Sequence, residues 1–112
     1  MREAIHCLVE GVASAEDIDT VVTHGLGARW AAIGPLMTLH LSGGQGGTKA
    51  MLDHAGEAIG EWWADLGAPS LTPQVRAAMV DAGTALQGGR TMSELMAQRD
   101  HKLVELLRRQ KT

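Results

Sequence analysis

Glycine pairs and X-Pro steps cut this 112-residue chain into short blocks. Within the blocks apolar residues recur at i, i+3 and i+4, and nowhere alternate over a useful length. That pattern constrains the chain to an all-α fold. Residues 2–10 read as a short helix stopped by Gly11. Ser14-Ala-Glu-Asp17 has the form of an N-cap with acids in the first turn, where they favour the helix dipole. Ile18, Val21 and Val22 then give a buried stripe, and Gly25 and Gly27 are expected to break the helix through positive φ values. Residues 28–41 are helical or helix–turn–helix, because Gly34-Pro35 interrupts them and Pro35 suits a first helical position.

The later blocks follow the same logic. Ser42-Gly-Gly-Gln-Gly-Gly47 is a flexible turn before a longer helix over about residues 48–66. That helix carries Met51, Ala55, Ala58, Ile59, Trp62 and Leu66 on one face. Thr72-Pro73 is an N-cap followed by proline at the first helical position, and Val75, Met79, Ala82 and Leu86 keep the spacing up to Gln87-Gly-Gly89. Thr91-Met-Ser-Glu94 is a capping box for a last helix with apolar Leu95, Met96, Leu103, Leu106 and Leu107. No repeat or dividing linker is visible, so residues 1–112 are read as one domain.

Composition removes several classes of function. Hydrophobic residues make up 45% of the chain, which is incompatible with compositional disorder. With three Trp and no Phe or Tyr, the core must come from aliphatic residues, Ala and six gap-filling Met. A net charge of −3 argues against nucleic-acid binding. The cluster Arg108-Arg109-Gln110-Lys111 reads as a dipole-complementing helix end. A single Cys7 rules out an intrachain disulfide and fits a reducing, cytoplasmic setting; its neighbours Ile5, Leu8 and Val9 suggest a buried structural thiol. No apolar run reaches the ~18 residues of a membrane span, and the first ten residues lack the apolar core of a signal peptide.

The chemistry-bearing motifs are sparse. Ser42 to Lys49 is glycine-rich, but Thr48 precedes Lys49 and no strand leads into it, so it reads as an interhelical hinge and not a phosphate loop. His6, His24, His40, His54 and His101 form no ligand pattern, and no metal site is expected. His24 stands beside a glycine turn as a site-edge candidate, and His40 and His54 read as interface or half-buried helix residues, with His40 the interface candidate. Arg29 and Trp30 follow the Gly25-Leu-Gly27 step, placing a cation and a flat ring near a backbone break that can edge a ligand cleft. The plainer alternative has Trp30 in the core and Arg29 solvated. Of adjacent Trp62 and Trp63, one ring must face the core and the other about 100° away. The outward ring is a candidate for an interface.

In order, Glu3-Ala4, Glu10-Gly-Val-Ala-Ser14, Glu16-Asp-Ile-Asp19, Gly25-Leu-Gly27 and Ile33-Gly-Pro35 resemble the C-terminal helical domain of the L-3-hydroxyacyl-CoA dehydrogenase superfamily. Arg29-Trp30, Leu39-His-Leu-Ser-Gly-Gly-Gln-Gly-Gly47, Gly88-Gly-Arg90 and Arg99-Asp100 are similar to its carnitine dehydrogenase and lambda-crystallin-like branch. The resemblance covers nearly the whole chain. Ile33 stands where the family usually has Met.

The resemblance implies a multi-helix domain of the 6-phosphogluconate dehydrogenase C-terminal-like type, in an intertwined homodimer, closing over the substrate cleft of an N-terminal Rossmann domain that this chain lacks. It places the NAD loop, the catalytic His–Glu pair and a substrate-contacting Asn outside these residues. It therefore implies no catalytic residue and no cofactor here, with NAD bound by the parent enzyme. It sets Gly25, Gly27, Arg29 and Trp30 at the cleft rim. Carnitine would call for an aromatic face, and Trp30 is the local candidate. The other reading is a stand-alone all-α dimerisation or binding module. An in-frame G-x-G-x-x-G about 200 residues upstream of Met1 would separate the two.

Overall fold

A computed structural model describes residues 1–111. Among them are helices and connections and no strand, so the chain is all-α as its periodicity requires. It divides into two compact units, Met1–Ser70 and Leu71–Thr112.

In the first unit, α1 (Arg2–Val9) ends in a Schellman motif. The Val12 N–H donates to the Cys7 carbonyl at 2.9 Å and the Gly11 N–H to Leu8 at 3.2 Å, with Gly11 at φ +70°. Helix α2 (Ala15–Val21) starts at Ser14, whose Oγ accepts from the Asp17 N–H at 3.1 Å.

The expected break at Gly25 and Gly27 is absent. The chain passes through a π-turn (Val22–Leu26) directly into α3 (Gly27–Ala32). Neither glycine has positive φ. Gly27 is needed for space: a Cβ there would lie 2.7 Å from the Val22 carbonyl oxygen, which the wider turn brings close. The interruption comes instead at Ile33, extended at φ −135°, before Gly34 and α4 (Pro35–Ser42).

A short 3₁₀ turn (Gly44–Gly46) leads into α5 (Gly47–Asp65). Helix α5 packs against α4, and α1 against α2. Glu3 and His6 of α1 clamp the end of α5. The Glu3 carboxylate accepts the Gly67 N–H at 2.8 Å, and the His6 ring lies where a Gly67 Cβ would be.

In the second unit, α6 (Pro73–Gln87) is capped by Thr72, and Val75, Met79, Ala82 and Leu86 turn to its less exposed side. Helix α7 (Met92–Gln110) opens with the complete capping box. Thr91 Oγ1 accepts from the Glu94 N–H at 3.1 Å and the Glu94 carboxylate accepts from the Thr91 N–H at 2.8 Å. Arg90 donates to the Leu86 and Gln87 carbonyls and, at 3.1 Å, to Gln98 of α7. Arg108 and Arg109 fall in the last turn of α7, where positive charge complements the dipole.

The core is small. Val75, 9% exposed, is the only buried hydrophobic residue among those described. Ile18 and Cys7 are half-buried, and Val21 and Val22 are exposed, so the stripe expected on α2 is not covered. The expected inward Trp also fails: Trp62 is 62% and Trp63 72% exposed. At 1.5 Å per residue, α4 spans about 12 Å and Trp62 lies about 23 Å along α5, beyond its reach.

Candidate functional site

The residues singled out in the sequence separate into two places within the first unit. The first is the run from the π-turn through α3. Val22, Leu26 and Trp30 follow one another at intervals of four and are all exposed, Trp30 to 45%. Arg29 lies about 100° around the helix from Trp30. Among the described residues its guanidinium has no hydrogen bond or ion pair. Gly27 supplies the close helix turn, and Gly25 leaves open space beside it.

His24 closes this edge. Its Nδ1 lies 3.0 Å from Thr23 Oγ1 and 3.3 Å from the Thr20 carbonyl. The Thr23 hydroxyl donates to the Asp19 carbonyl at 2.9 Å, and a carbonyl only accepts, so Nδ1 carries the proton. Nε2 has no partner among the described residues. The segment is thus an apolar strip beside a cation with no partner among the described residues and an imidazole whose Nδ1 is taken up locally. That combination can hold an anionic group next to a hydrophobic or cationic one, but it contains no nucleophile and no acid–base pair. No group of three or more His, Cys, Asp or Glu among the described residues could hold a metal ion.

The second place is the α4–α5 elbow, the interhelical connection expected at Ser42 to Lys49. His40 stands out on sequence only as an interface candidate. In the structure its Nδ1 accepts the Thr48 N–H at 3.1 Å and lies 3.0 Å from Thr48 Oγ1. The bond spans eight residues across a glycine turn, and no local sequence pattern signals it. Trp62 and Trp63, on the far half of α5, are not brought together with Arg29 and Trp30 by any bond among the described residues. No helix among these residues is long and apolar enough to cross a membrane.

Residues 1–87 match the family described as 3-hydroxyacyl-CoA dehydrogenase, C-terminal domain. The chain belongs to that family. The match ends with α6 and does not take in α7. Curated relatives extend across α7 as well. An L-carnitine dehydrogenase of Nocardiopsis dassonvillei is 46% identical over 107 residues, covering 96% of this chain and 32% of its own length. One from Streptomyces coelicolor is 42% identical over 96% of this chain and 34% of its own. One from a Pseudomonas species is 36% identical over 95% and 33%. The chain therefore spans about a third of the length of the curated relatives it matches. No solved structure matches it significantly.

Proposed function

We propose that this chain supplies the C-terminal helical part of an NAD-dependent dehydrogenase acting on L-carnitine or a related 3-hydroxy acid. The observation that carries the reading is the 34–46% identity to L-carnitine dehydrogenases along nearly the whole chain. The domain is inactive alone. It pairs two copies through its uncovered apolar faces and closes over the substrate held by an N-terminal Rossmann domain. NAD, its glycine loop and the acid–base groups belong to that partner domain.

In this reading Gly25 and Gly27 let the π-turn lie at the cleft rim, Arg29 holds the substrate carboxylate by a charge-assisted bond, and the Trp30 ring faces its ammonium end. Trp62, Trp63 and His40 are the residues assigned to interfaces. What supports this is that Arg29 and Trp30 are adjacent and both exposed on α3.

The test is a fusion of this chain to the N-terminal NAD-binding portion of the Nocardiopsis dassonvillei relative. The fusion should form NADH from L-carnitine, and the chain alone should not. NADH production by the pure chain, or a folded, NAD-binding fusion inert toward L-carnitine and other 3-hydroxy acids, would overturn the proposal.

A further inference from the structure

The second half of α5 carries charges that its own helix disfavours. Glu57, Glu61 and Asp65 recur every four residues and form one exposed row about 12 Å long. Like charges at i and i+4 repel, and acids near a helix C-terminus oppose the dipole. No Lys or Arg occurs between residues 50 and 75 to offset them. None of the three has an ion pair among the described residues. Beside that row lie Trp62, Trp63 and Leu66, all exposed. An apolar face rimmed by acids that repel one another suits a partner surface that is apolar and basic.

The second half of α7 has that character. Residues 99–111 hold five Lys or Arg against two acids. Leu103, Leu106 and Leu107 are exposed among them, so this face is bare within its own unit. Around Leu106 is an open hollow of about 180 Å³ lined by Lys102, Glu105, Leu106 and Arg109. A cavity of about 150 Å³ holds a benzene ring, so the hollow has room for an aromatic ring. Lys102 and Arg109 stand about one turn before and after Leu106, where each can lie over a ring face or meet a carboxylate. The one acid there, Glu105, already faces His101 Nε2 at 3.7 Å.

We infer that α7 of a second copy docks on the second half of α5, its hollow around Leu106 taking Trp62 while Lys102 and Arg109 meet Glu61 and Asp65. Trp62 is the nearer of the two rings to the acid row, three residues before Asp65 on the same side of the helix. The inference rests on the pairing of copies proposed above and adds which faces meet. The chain carries both halves of a complementary pair, each bare within its own unit. A two-fold pair forms the α5–α7 contact twice and covers both halves on both copies, which is the reciprocity of a closed dimer. Pairing like faces would instead set acids against acids on α5, or cations against cations on α7.

The experiment is a charge exchange read by sedimentation. One variant carries Glu61→Lys and Asp65→Lys, the other Lys102→Glu and Arg109→Glu. Each alone should self-associate at least about tenfold more weakly than the wild-type chain, because like charges then face each other in both contacts. An equal mixture of the two should recover the wild-type affinity, since every contact in the mixed pair is again opposite in sign. The α5 variant puts cations at a helix C-terminus and should fold at least as well as the wild type, which circular dichroism checks. With no variant at all, zero-length carbodiimide coupling in a mixture of isotope-labelled and unlabelled wild-type chains should join Glu61 or Asp65 of one copy to Lys102 of the other. Dimers that neither pair of substitutions weakens would overturn the inference and leave the pairing of copies standing. A wild-type chain that stays monomeric would overturn both. Coupling confined to peptides of a single label would place α7 on α5 of its own chain and would also overturn the inference.

Discussion

At the scale of single residues, space and charge separate positions that look alike in the sequence. Gly60 and Gly67 are both near the end of α5. Gly60 is helical and a Cβ there would meet nothing within 4 Å, whereas Gly67 is buried beneath His6 with its N–H on Glu3. Gly60→Ala should therefore stabilise the chain by roughly 0.5–1 kcal/mol, the helix-interior cost of glycine. Gly67→Ala should destabilise it by about 1–3 kcal/mol through overpacking. Urea unfolding of both variants checks the pair, and equal effects would contradict the clamp. Arg29 is the residue whose role belongs to the proposed enzyme. A charge-assisted bond is worth about 1.5–3 kcal/mol, so Arg29→Ala in the fusion should raise KM by about ten- to a hundredfold. Because the side chain has no partner here, the thermal midpoint should barely move. A large loss of stability with unchanged KM would make Arg29 structural.

At the scale of elements, capping chemistry proves the most legible part of the sequence. Thr91 makes the point: losing its hydroxyl removes one bond of a reciprocal pair at the start of a 19-residue helix. Thr91→Ala should cost about 0.5–2 kcal/mol, read by circular dichroism as earlier melting of helical signal, while Thr91→Ser should hold. Thr72-Pro73, Gly34-Pro35 and Gly11 likewise lie where local rules put them, because each cap or turn is decided within four or five residues. Gly25 and Gly27 did not follow. Two glycines permit a break without demanding one, and a π-turn that widens the helix by one residue leaves no compositional trace. The candidate site inherits that difference: the residues are adjacent as expected, but on a continuous helix and not on a sharp turn. The roles of His40 and Glu3 were hidden for another reason. One bond spans 8 residues and the other 64, and neither distance is encoded in a local pattern. The Trp62–Trp63 expectation failed because helical geometry says that two rings diverge, not that anything covers one of them.

At the scale of the whole molecule, the decisive quantity is apolar surface with nothing on it. The chain exposes 8935 Å². Two separate closed globules of 70 and 42 residues would together expose only about 7,100 Å². The excess of about 1,800 Å² of total surface exceeds the roughly 800 Å² that each partner gives to a standard interface, so there is room for one. It is also unevenly charged. Residues 1–70 carry nine Asp or Glu against three Lys or Arg, and residues 71–112 carry four against seven. Leu103, Leu106 and Leu107 lie exposed on the basic side, and Trp62, Trp63 and Leu66 on the acidic one. Opposite charges flanking apolar faces favour association of copies and steer it. The chain should therefore sediment as a dimer at micromolar concentration. Trp62→Ala and Trp63→Ala together should shift it toward monomer by at least about tenfold in Kd, since exposed Trp is the residue type that dominates interfaces. If Trp and Leu side chains form the contact, salt should alter the rate of association more than the final dimer fraction. Sedimentation velocity across a concentration series checks the first two statements. A chain that stays monomeric throughout would leave the exposed faces to a different partner and remove the pairing role from the proposed function.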